Sequence, residues 1–200
     1  MPPSTEISLL ISKLADADAA VRAGAAAEIF QQGVELARAA AIRWLADAEF
    51  AECIVRGSDG PEITVGVAVE PTTFERIRAA NGSPRLADVP PDQDAREFEL
   101  EFSPGVRLDV LTTREPGGAG AIARFLKKSG EGIQQVELAV RDVEHATDVL
   151  RARFGLAPVY PATRAGVNGT RVNFFFVASP PDQKVLIELV ESAPRQEPGG

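Results

Sequence analysis

The sequence contains one cysteine, one histidine, one methionine, one tryptophan and one tyrosine among its 200 residues. A single cysteine, Cys53, excludes an internal disulfide bond and fits a reducing compartment. A single histidine, His145, leaves little support for Ser–His–Asp or Cys–His catalysis, because those centres need an imidazole beside the nucleophile. The sequence therefore gives no sign of a common hydrolytic centre.

The sequence also lacks a long apolar run and an excess of basic residues. No apolar stretch approaches the roughly 20 residues of a membrane span, and the first residues lack the basic and apolar regions of a signal peptide. The formal net charge is −8, and an acidic chain repels phosphate backbones. We therefore expect a cytoplasmic protein that binds a small molecule and has neither a nucleic-acid nor a membrane partner.

Residues 1–56 have apolar side chains at helical spacing and are predicted to form a small all-α segment. One helix passes through Ile7 and Leu14, a second ends at Gly33, and a third runs over 34–44. The stretch LADADAAVRAGAAAEIFQQG resembles a single HEAT-type helical repeat, and one such unit cannot bury its apolar face alone. We expect the segment to cover the following domain, with dimerisation or partner docking as the alternative.

Residues 57–61 are rich in turn formers and are predicted to be a linker. After them the apolar spacing changes to a period of two, and one pattern of strand then helix occurs twice, as ITVGVAVEPTTFERI and QQVELAVRDVEHATDVL. The sequence predicts an α+β fold over 62–191, with two βαβββ modules that form a curled mixed sheet around a shared pocket. Residues 192–200 are predicted to be disordered.

The predicted strands alternate between apolar and polar residues. Helices must cover the apolar face, so the polar residues point to the opposite, pocket side. This set consists of Thr64, Glu97, Glu99, Asp109, Gln135, Glu137 and Glu188. Clustered carboxylates need a neighbouring cation or must hold a proton near neutral pH. Three interpretations stay open: a divalent metal site, a metal-free pocket with a protonated or basic carboxyl, and a solvated acidic face.

Four stretches carry a resemblance to a known family: residues 122–140, RDVEHATDVL, GTRVNFFF and KVLIELVE. Their order and spacing resemble the second module of the vicinal oxygen chelate superfamily and, within it, of the methylmalonyl-CoA epimerases. In this family each module gives two ligands to one divalent metal. The resemblance places these ligands at Thr64, Asp109, Gln135 and Glu188.

Two of these four positions depart from the family pattern, which usually has histidine there. Thr64 and Gln135 replace the two histidines, and a hydroxyl or an amide oxygen is a poor ligand for borderline metals. We therefore predict weak divalent metal binding or none. If a cation binds, Asp109, Gln135 and Glu188 are the predicted ligands, and such oxygen donors suit Mg²⁺, Mn²⁺ or Ca²⁺ better than Zn²⁺.

The resemblance implies an enzyme that moves a proton next to a carbonyl group and stabilises the enolate on a metal. Glu188 and Glu97 are the predicted proton-transfer residues. Thr64, Glu99, Asp109, Gln135 and Glu137 are the predicted ligand-binding residues. The predicted ligand is a small carbonyl or carboxylate compound, with acyl-CoA among the candidates, and the predicted activity is that of an isomerase, an epimerase or a glyoxalase-type lyase. The alternative is a non-catalytic small-molecule-binding protein whose helical segment is an interaction element. A homodimer is also open.

Overall fold

A computed structural model describes residues 5–58, 60–179 and 183–192. The predicted disordered tail lies outside the described residues, apart from Ser192. The helices are α1 (Thr5–Lys13), α2 (Ala19–Leu45), α3 (Ala48–Cys53), α4 (Pro71–Ala80), α5 (Ala121–Ser129) and α6 (Val143–Phe154). In this part of the chain no helix combines the length and the apolar composition needed to cross a membrane.

The strands form a two-stranded and a seven-stranded sheet. The strands are β1 (Arg56–Gly57), β2 (Gly60–Pro61), β3 (Ile63–Ala68), β4 (Arg96–Ser103), β5 (Val106–Thr112), β6 (Gly132–Val140), β7 (Arg164–Ala165), β8 (Arg171–Ser179) and β9 (Gln183–Glu191). The small sheet pairs β1 with β2 inside the predicted linker region. The large sheet has the order β4-β5-β3-β6-β9-β8-β7.

The large sheet contains two halves that meet at an antiparallel pair of strands. The first strands of the halves, β3 and β6, lie side by side, and each is parallel to the last strand of its own half, β5 or β9. Two strands follow the helix in the first half and three in the second, where the short β7 pairs with β8. The predicted α+β fold with a curled mixed sheet is confirmed.

The prediction that a helix ends at Gly33 is wrong, because α2 continues through this residue. A β-carbon on Gly33 would lie 2.6 Å from both terminal carbons of Val65. The missing side chain thus lets α2 approach β3 closely, and it does not mark the end of a helix. Asp18 caps the start of α2 by accepting a hydrogen bond from the backbone N–H of Ala20.

Helix α2 lies across both halves of the sheet on its apolar face. Near its start, Ala25 and Ile29 pack with the core of the first half, which includes Val67. Near its end, Ala37 and Trp44 pack with the core of the second half. The helical segment and the sheet therefore share one apolar interior, and the pocket face remains on the other side. The HEAT-type resemblance of this segment stays a prediction.

Candidate functional site

Strand alternation places the predicted site residues on one face, called here the pocket face. In β5 and β9 the buried apolar residues Leu108 and Ile187 pack into the helix-covered core. Asp109 and Glu188 follow them directly, so they point to the opposite side. The central strands then bring side chains from both halves together, because β3 and β6 are neighbours. The pocket face thus collects carboxyl groups from four strands.

Four predicted residues form a cluster at the centre of this face. The Nε2 atom of Gln135 donates to Glu137 Oε1 over 2.9 Å and to Glu188 Oε2 over 2.5 Å. Asp109 lies near Glu137, and the charge of Glu137 raises the pKa of Asp109. The cluster therefore brings carboxyl groups of both halves together.

Gly66 provides the space that this cluster occupies. A β-carbon at Gly66 would lie 2.6 Å from Cγ of Gln135 and 3.1 Å from Cδ1 of Leu111. The side chain of Gln135 packs against Gly66 of β3, and its amide bonds Glu137 of its own strand and Glu188 of β9. The sequence analysis missed this residue, although a glycine inside a strand is a recognised sign of close approach.

Burial is the main cause of the altered acidity in the cluster. Loss of hydration raises the pKa values of Asp109, Glu137 and Glu188 well above their ordinary range, and the neighbouring carboxyls raise them further. For Glu97, burial and then the charges of Asp109 and Glu99 raise the pKa to about 8. Several of these groups are therefore protonated at neutral pH.

A cavity of about 670 Å³ opens on the pocket face beside the cluster. Five predicted site residues line it: Thr64, Glu97, Glu99, Asp109 and Glu137. Gln135 and Glu188 are not among its lining residues and contact it through Glu137. The structure thus places one predicted proton-transfer residue, Glu97, on the cavity wall and the other, Glu188, behind it.

Helix α5 covers the pocket face at the end away from this cavity. Ile122 and Leu126 of α5 pack on Ala68 and Leu111, which lie on the same face as the carboxyl groups. The pocket face is therefore closed over this end of β3 and β5.

Two loops, one from each half, meet over the cavity. The backbone N–H of Asn168 donates to the carbonyl of Asp88 over 2.9 Å, and the N–H of Asp88 donates to Oδ1 of Asn168 over 2.9 Å. Arg164 and Asp92 add an ion pair to this bridge. The sequence analysis missed Asn168 as a site residue, because no local pattern shows that two loops 80 positions apart will meet.

Two arginines also line the cavity, and neither is among the predicted site residues. Arg107 lies 3.6 Å from Glu62 in an ion pair, and it partly offsets the rise in the pKa of Asp109. Arg85 is exposed on a loop at the cavity. Strand alternation places Arg107 on the pocket face together with Asp109, so this pattern could have identified Arg107 as a site residue. Arg85 lies in an irregular loop and has no such signal.

The cluster does not fit the divalent metal that the resemblance implies. Gln135 presents its N–H donors to Glu137 and Glu188, whereas a metal requires lone pairs. Within the described ranges, no group of three His, Cys, Asp or Glu side chains is placed to hold a metal ion. The expectation that the protein binds a divalent metal weakly or not at all remains a prediction.

Comparison with solved structures supports the resemblance. Methylmalonyl-CoA epimerase from Mycobacterium tuberculosis is 33% identical over 66% of this chain and 87% of its own, with a TM-score of 0.54. The Streptomyces coelicolor methylmalonyl-CoA epimerase, as a variant in complex with 2-nitronate-propionyl-CoA, is 27% identical over 67% of this chain and 98% of its own, with a TM-score of 0.52.

A further methylmalonyl-CoA epimerase, in complex with methylmalonyl-CoA and NH4+, is 28% identical over 66% of this chain and 95% of its own, with a TM-score of 0.52. No family model and no curated protein matches the chain. The sheet order, the shared pocket face and the identity to the mycobacterial enzyme agree with one another. The chain belongs to the methylmalonyl-CoA epimerase family, within the vicinal oxygen chelate superfamily.

Proposed function

We propose that the protein binds a small carbonyl compound in the cavity and moves a proton on the carbon next to its carbonyl group. The buried carboxyl cluster on the cavity wall carries this proposal, above all Glu97, whose pKa is raised to about 8. A group with this pKa populates both protonation states near neutral pH, as a general acid–base catalyst must. The ligands of the related epimerases, methylmalonyl-CoA and 2-nitronate-propionyl-CoA, support a carbonyl compound or an acyl-CoA.

The reaction needs a base and a partner for the carbonyl oxygen. The Glu97 carboxylate removes the proton from the carbon next to the carbonyl, and the electron pair of the C–H bond moves to give an enolate. Asp109 and Glu137, whose pKa values burial raises well above their ordinary range, lie on the same cavity wall. A carboxyl group that burial keeps neutral can donate a hydrogen bond to an enolate oxygen. Return of the proton from Glu97 to the original face of the carbon gives exchange with solvent. If the enolate first turns its other face towards Glu97, the same return gives an isomerisation, and neither outcome changes the redox state.

Glu188 has a different role in this proposal from Glu97. It accepts a hydrogen bond from Gln135 and lies behind Glu137 relative to the cavity. Its charge is among the causes that raise the pKa of Glu137. We therefore assign Glu188 to the positioning of the cluster, and Glu97 to contact with the ligand.

Hydrogen–deuterium exchange tests the proposal. The full-length protein is incubated in D₂O with methylmalonyl-CoA, propionyl-CoA or dihydroxyacetone, and loss of the signal from the hydrogen next to the carbonyl is followed by proton NMR. We expect exchange of at least one compound above the background rate. Glu97→Gln should slow this exchange about 100-fold or more, the usual loss when a general base is removed.

Glu101→Gln is the matched control. Glu101 lies on the pocket face of the same strand but is exposed and does not line the cavity. This variant should exchange at the native rate. Equal exchange by native protein and Glu97→Gln would contradict the assigned base, and the absence of both binding and exchange would contradict the function.

A second function, binding without reaction, is favoured by Thr64 and Gln135. These two residues replace the metal-binding histidines that the resemblance implies. Because they are poorer metal ligands, they weaken the stabilisation that a metal would give to an enolate. Titration of the same three compounds by NMR separates the two functions. A compound that shifts the signals of cavity residues but shows no exchange would establish a binding protein.

A further inference from the structure

The two arginines on the cavity wall make few polar contacts with the protein. Arg107 lies on β5 with its side chain 27% exposed, and Arg85 is exposed on the loop before β4. The ion pair between Arg107 and Glu62 spans 3.6 Å, which is too long for a hydrogen bond. Among the residues that the structure describes, neither guanidinium has a hydrogen-bond acceptor. Each guanidinium has five N–H donors, so both can donate to oxygen atoms of a ligand.

The charges on the cavity wall allow an anion to approach these arginines. Burial raises the pKa values of Asp109 and Glu137 well above their ordinary range, so these two acids are mostly neutral at pH 7. The pKa of Glu97 is raised to about 8, so this acid is largely protonated there as well. The other acids that line the described part of the cavity, Glu62 and Glu99, are matched in number by the two arginines. An anion therefore meets no large negative surplus.

The strand register separates Arg107 from the proposed base. Glu97 pairs with Leu111, whereas Arg107 pairs with Glu101, four residues earlier along β5. At the usual rise of a strand, these two pairs lie about 13 Å apart along the backbone. Helix α5 packs on Leu111 at the end near Glu97. A ligand that contacts both Glu97 and Arg107 thus lies along β5, with its reacting carbon towards one end and its other groups towards Arg107.

We propose that Arg107, assisted by Arg85, binds an anionic group of the ligand, a carboxylate or a phosphate, and that this group displaces Glu62 from Arg107. The proposal rests on the function proposed above and names Arg107 as a specificity-determining residue of the same cavity. A guanidinium holds two oxygen atoms of such a group through parallel hydrogen bonds. Glu62 makes no hydrogen bond with Arg107 at 3.6 Å. In the free protein it therefore partly neutralises Arg107 and competes with the ligand.

Four thioesters test the proposal: methylmalonyl-CoA, propionyl-CoA, methylmalonyl-pantetheine and propionyl-pantetheine. The methylmalonyl group adds a carboxylate to the propionyl group, and CoA adds phosphates to pantetheine, so the set separates the two sources of negative charge. Their affinities for the full-length protein are measured by isothermal titration calorimetry. We expect Arg107→Gln to weaken the binding of anionic esters at least about tenfold, the factor that one charged hydrogen bond contributes. Neutral propionyl-pantetheine should bind as it does to the native protein.

The pattern of losses identifies the anion. A loss confined to the two CoA esters assigns Arg107 to a phosphate, and a loss confined to the two methylmalonyl esters assigns it to the carboxylate. Arg85 lies on an exposed loop, so Arg85→Gln preserves the fold even if Arg107→Gln does not, and it should weaken the same esters. Arg76→Gln is the matched control, because Arg76 is exposed on α4 and does not line the cavity. It should bind all four esters like the native protein.

Glu62→Gln distinguishes a binding role of Arg107 from a structural one. If Arg107 binds the ligand, loss of the competing carboxylate should tighten the binding of the anionic esters about two- to fivefold, the range that a partly exposed ion pair contributes. If the ion pair only stabilises the fold, Glu62→Gln and Arg107→Gln should change the affinity in the same direction. Opposite effects of the two variants therefore support the proposal.

Several results would overturn the proposal. These are native affinity of Arg107→Gln for every anionic ester, weaker binding of these esters by Glu62→Gln, and the absence of binding of any ester to the native protein. Proton exchange of a carbonyl compound together with any of these results would keep the proposed function and remove only the anion subsite. Binding that depends on Arg107 without proton exchange would remove the function and keep the subsite.

Discussion

The two halves of the sheet have equivalent strand pairs but different chemistry on the pocket face. In each half an outer strand runs antiparallel to the last strand, β4 beside β5 and β8 beside β9. The first pair sets Glu99 opposite Asp109, and the second sets Phe174 opposite Glu188. The last strands thus each contribute a carboxyl group, whereas the outer strands contribute an acid in one half and an aromatic ring in the other.

The next pair of positions shows the same difference. Glu97 lies opposite Leu111 in the first half, and Phe176 lies opposite Leu186 in the second. The ring of Phe174 packs edge-on against Tyr160, and Phe176 is 57% exposed. A repeated backbone can therefore carry an acidic wall on one side and an apolar wall on the other. Carboxyl groups on an outer strand thus occur in the first half, where Glu97 and Glu99 line the cavity.

The largest expected effect is the pH dependence of stability that arises from the buried carboxyl groups of both halves. Glu97, Asp109, Glu137 and Glu188 have raised pKa values in the folded protein, so the folded state binds more protons than the unfolded state above about pH 4.5. Stability is therefore full below this pH and falls as the pH rises through about 8, the pKa of Glu97. Each pKa unit corresponds to about 1.4 kcal/mol. We therefore expect the free energy of unfolding to fall by several kcal/mol as the pH rises through this range.

Urea denaturation at pH 5, 7 and 9 measures this loss. Glu97→Gln removes one of the titrating groups, so its free energy of unfolding should fall less steeply between pH 5 and 9 than that of the native protein. A free energy of unfolding that rises or stays level over this range in the native protein would contradict the protonated cluster.

An acid placed in the apolar wall would remove the difference between the halves. Phe174→Glu adds a further carboxyl group beside Glu188 and deletes the aromatic contact with Tyr160. We expect a loss of about 3 kcal/mol in the free energy of unfolding at pH 8, from lost apolar burial and like-charge repulsion. Denaturation by urea measures it.

Phe176→Glu is the matched control on the same strand and face. Since Phe176 is mostly exposed, this change should cost less than about 0.5 kcal/mol, as is usual for surface substitutions. Equal losses for the two variants would show that the position opposite Glu188 has no special electrostatic character.

The third prediction concerns α2, which packs on both halves. Gly33→Ala places a β-carbon 2.6 Å from Val65 in the first half, and overpacking of this kind costs about 1–3 kcal/mol. Gly24 lies in the same helix with no atom within 4 Å of a β-carbon. Gly24→Ala should instead stabilise the protein by about 0.5–1 kcal/mol through helix propensity. Thermal denaturation of the two variants compares them, and shifts of the same sign would refute the close packing.

The last prediction concerns the loop bridge between the halves. Asn168 has a φ angle of 52° and accepts a hydrogen bond from Asp88. Asn168→Ala removes this hydrogen bond and forces alanine into the left-handed backbone conformation. We therefore expect the free energy of unfolding to fall by about 2 kcal/mol. Asn168→Gly also removes the hydrogen bond, but glycine adopts the left-handed conformation without strain. We therefore expect the free energy of unfolding to fall by about 1 kcal/mol. If alanine were tolerated as well as glycine, the left-handed conformation would not be required.

Strand alternation in the sequence was sufficient to predict the fold and the face of each site residue. KVLIELVE places Val185, Ile187 and Leu189 on one side and Glu188 on the other, and the structure buries the three apolar residues in the core. The duplicated strand-to-helix pattern likewise predicted the two halves of the sheet. These predictions rest on local periodicity, which a strand retains wherever the chain places it.

The helical segment shows where local reasoning failed. Glycine usually ends a helix when it follows an apolar run, so Gly33 was interpreted as a terminus. In the structure this residue faces Val65, 32 positions later in the chain. A contact of this kind has no local signal, because it depends on how α2 crosses β3. A homodimer and a HEAT-type unit remain predictions for the same reason.

By itself the sequence determined the α+β class, the internal repeat and the set of acidic residues that share one face. Only the tertiary structure decided which of these acids line the cavity and which lie behind them. Asp109 and Glu137 come from different halves and act on each other because β3 joins their strands. Alternation assigns a side chain to a face, but the distance between two side chains on that face depends on strand order, register and covering helices. The raised pKa values follow from that proximity and burial, and so does the proposed chemistry at Glu97.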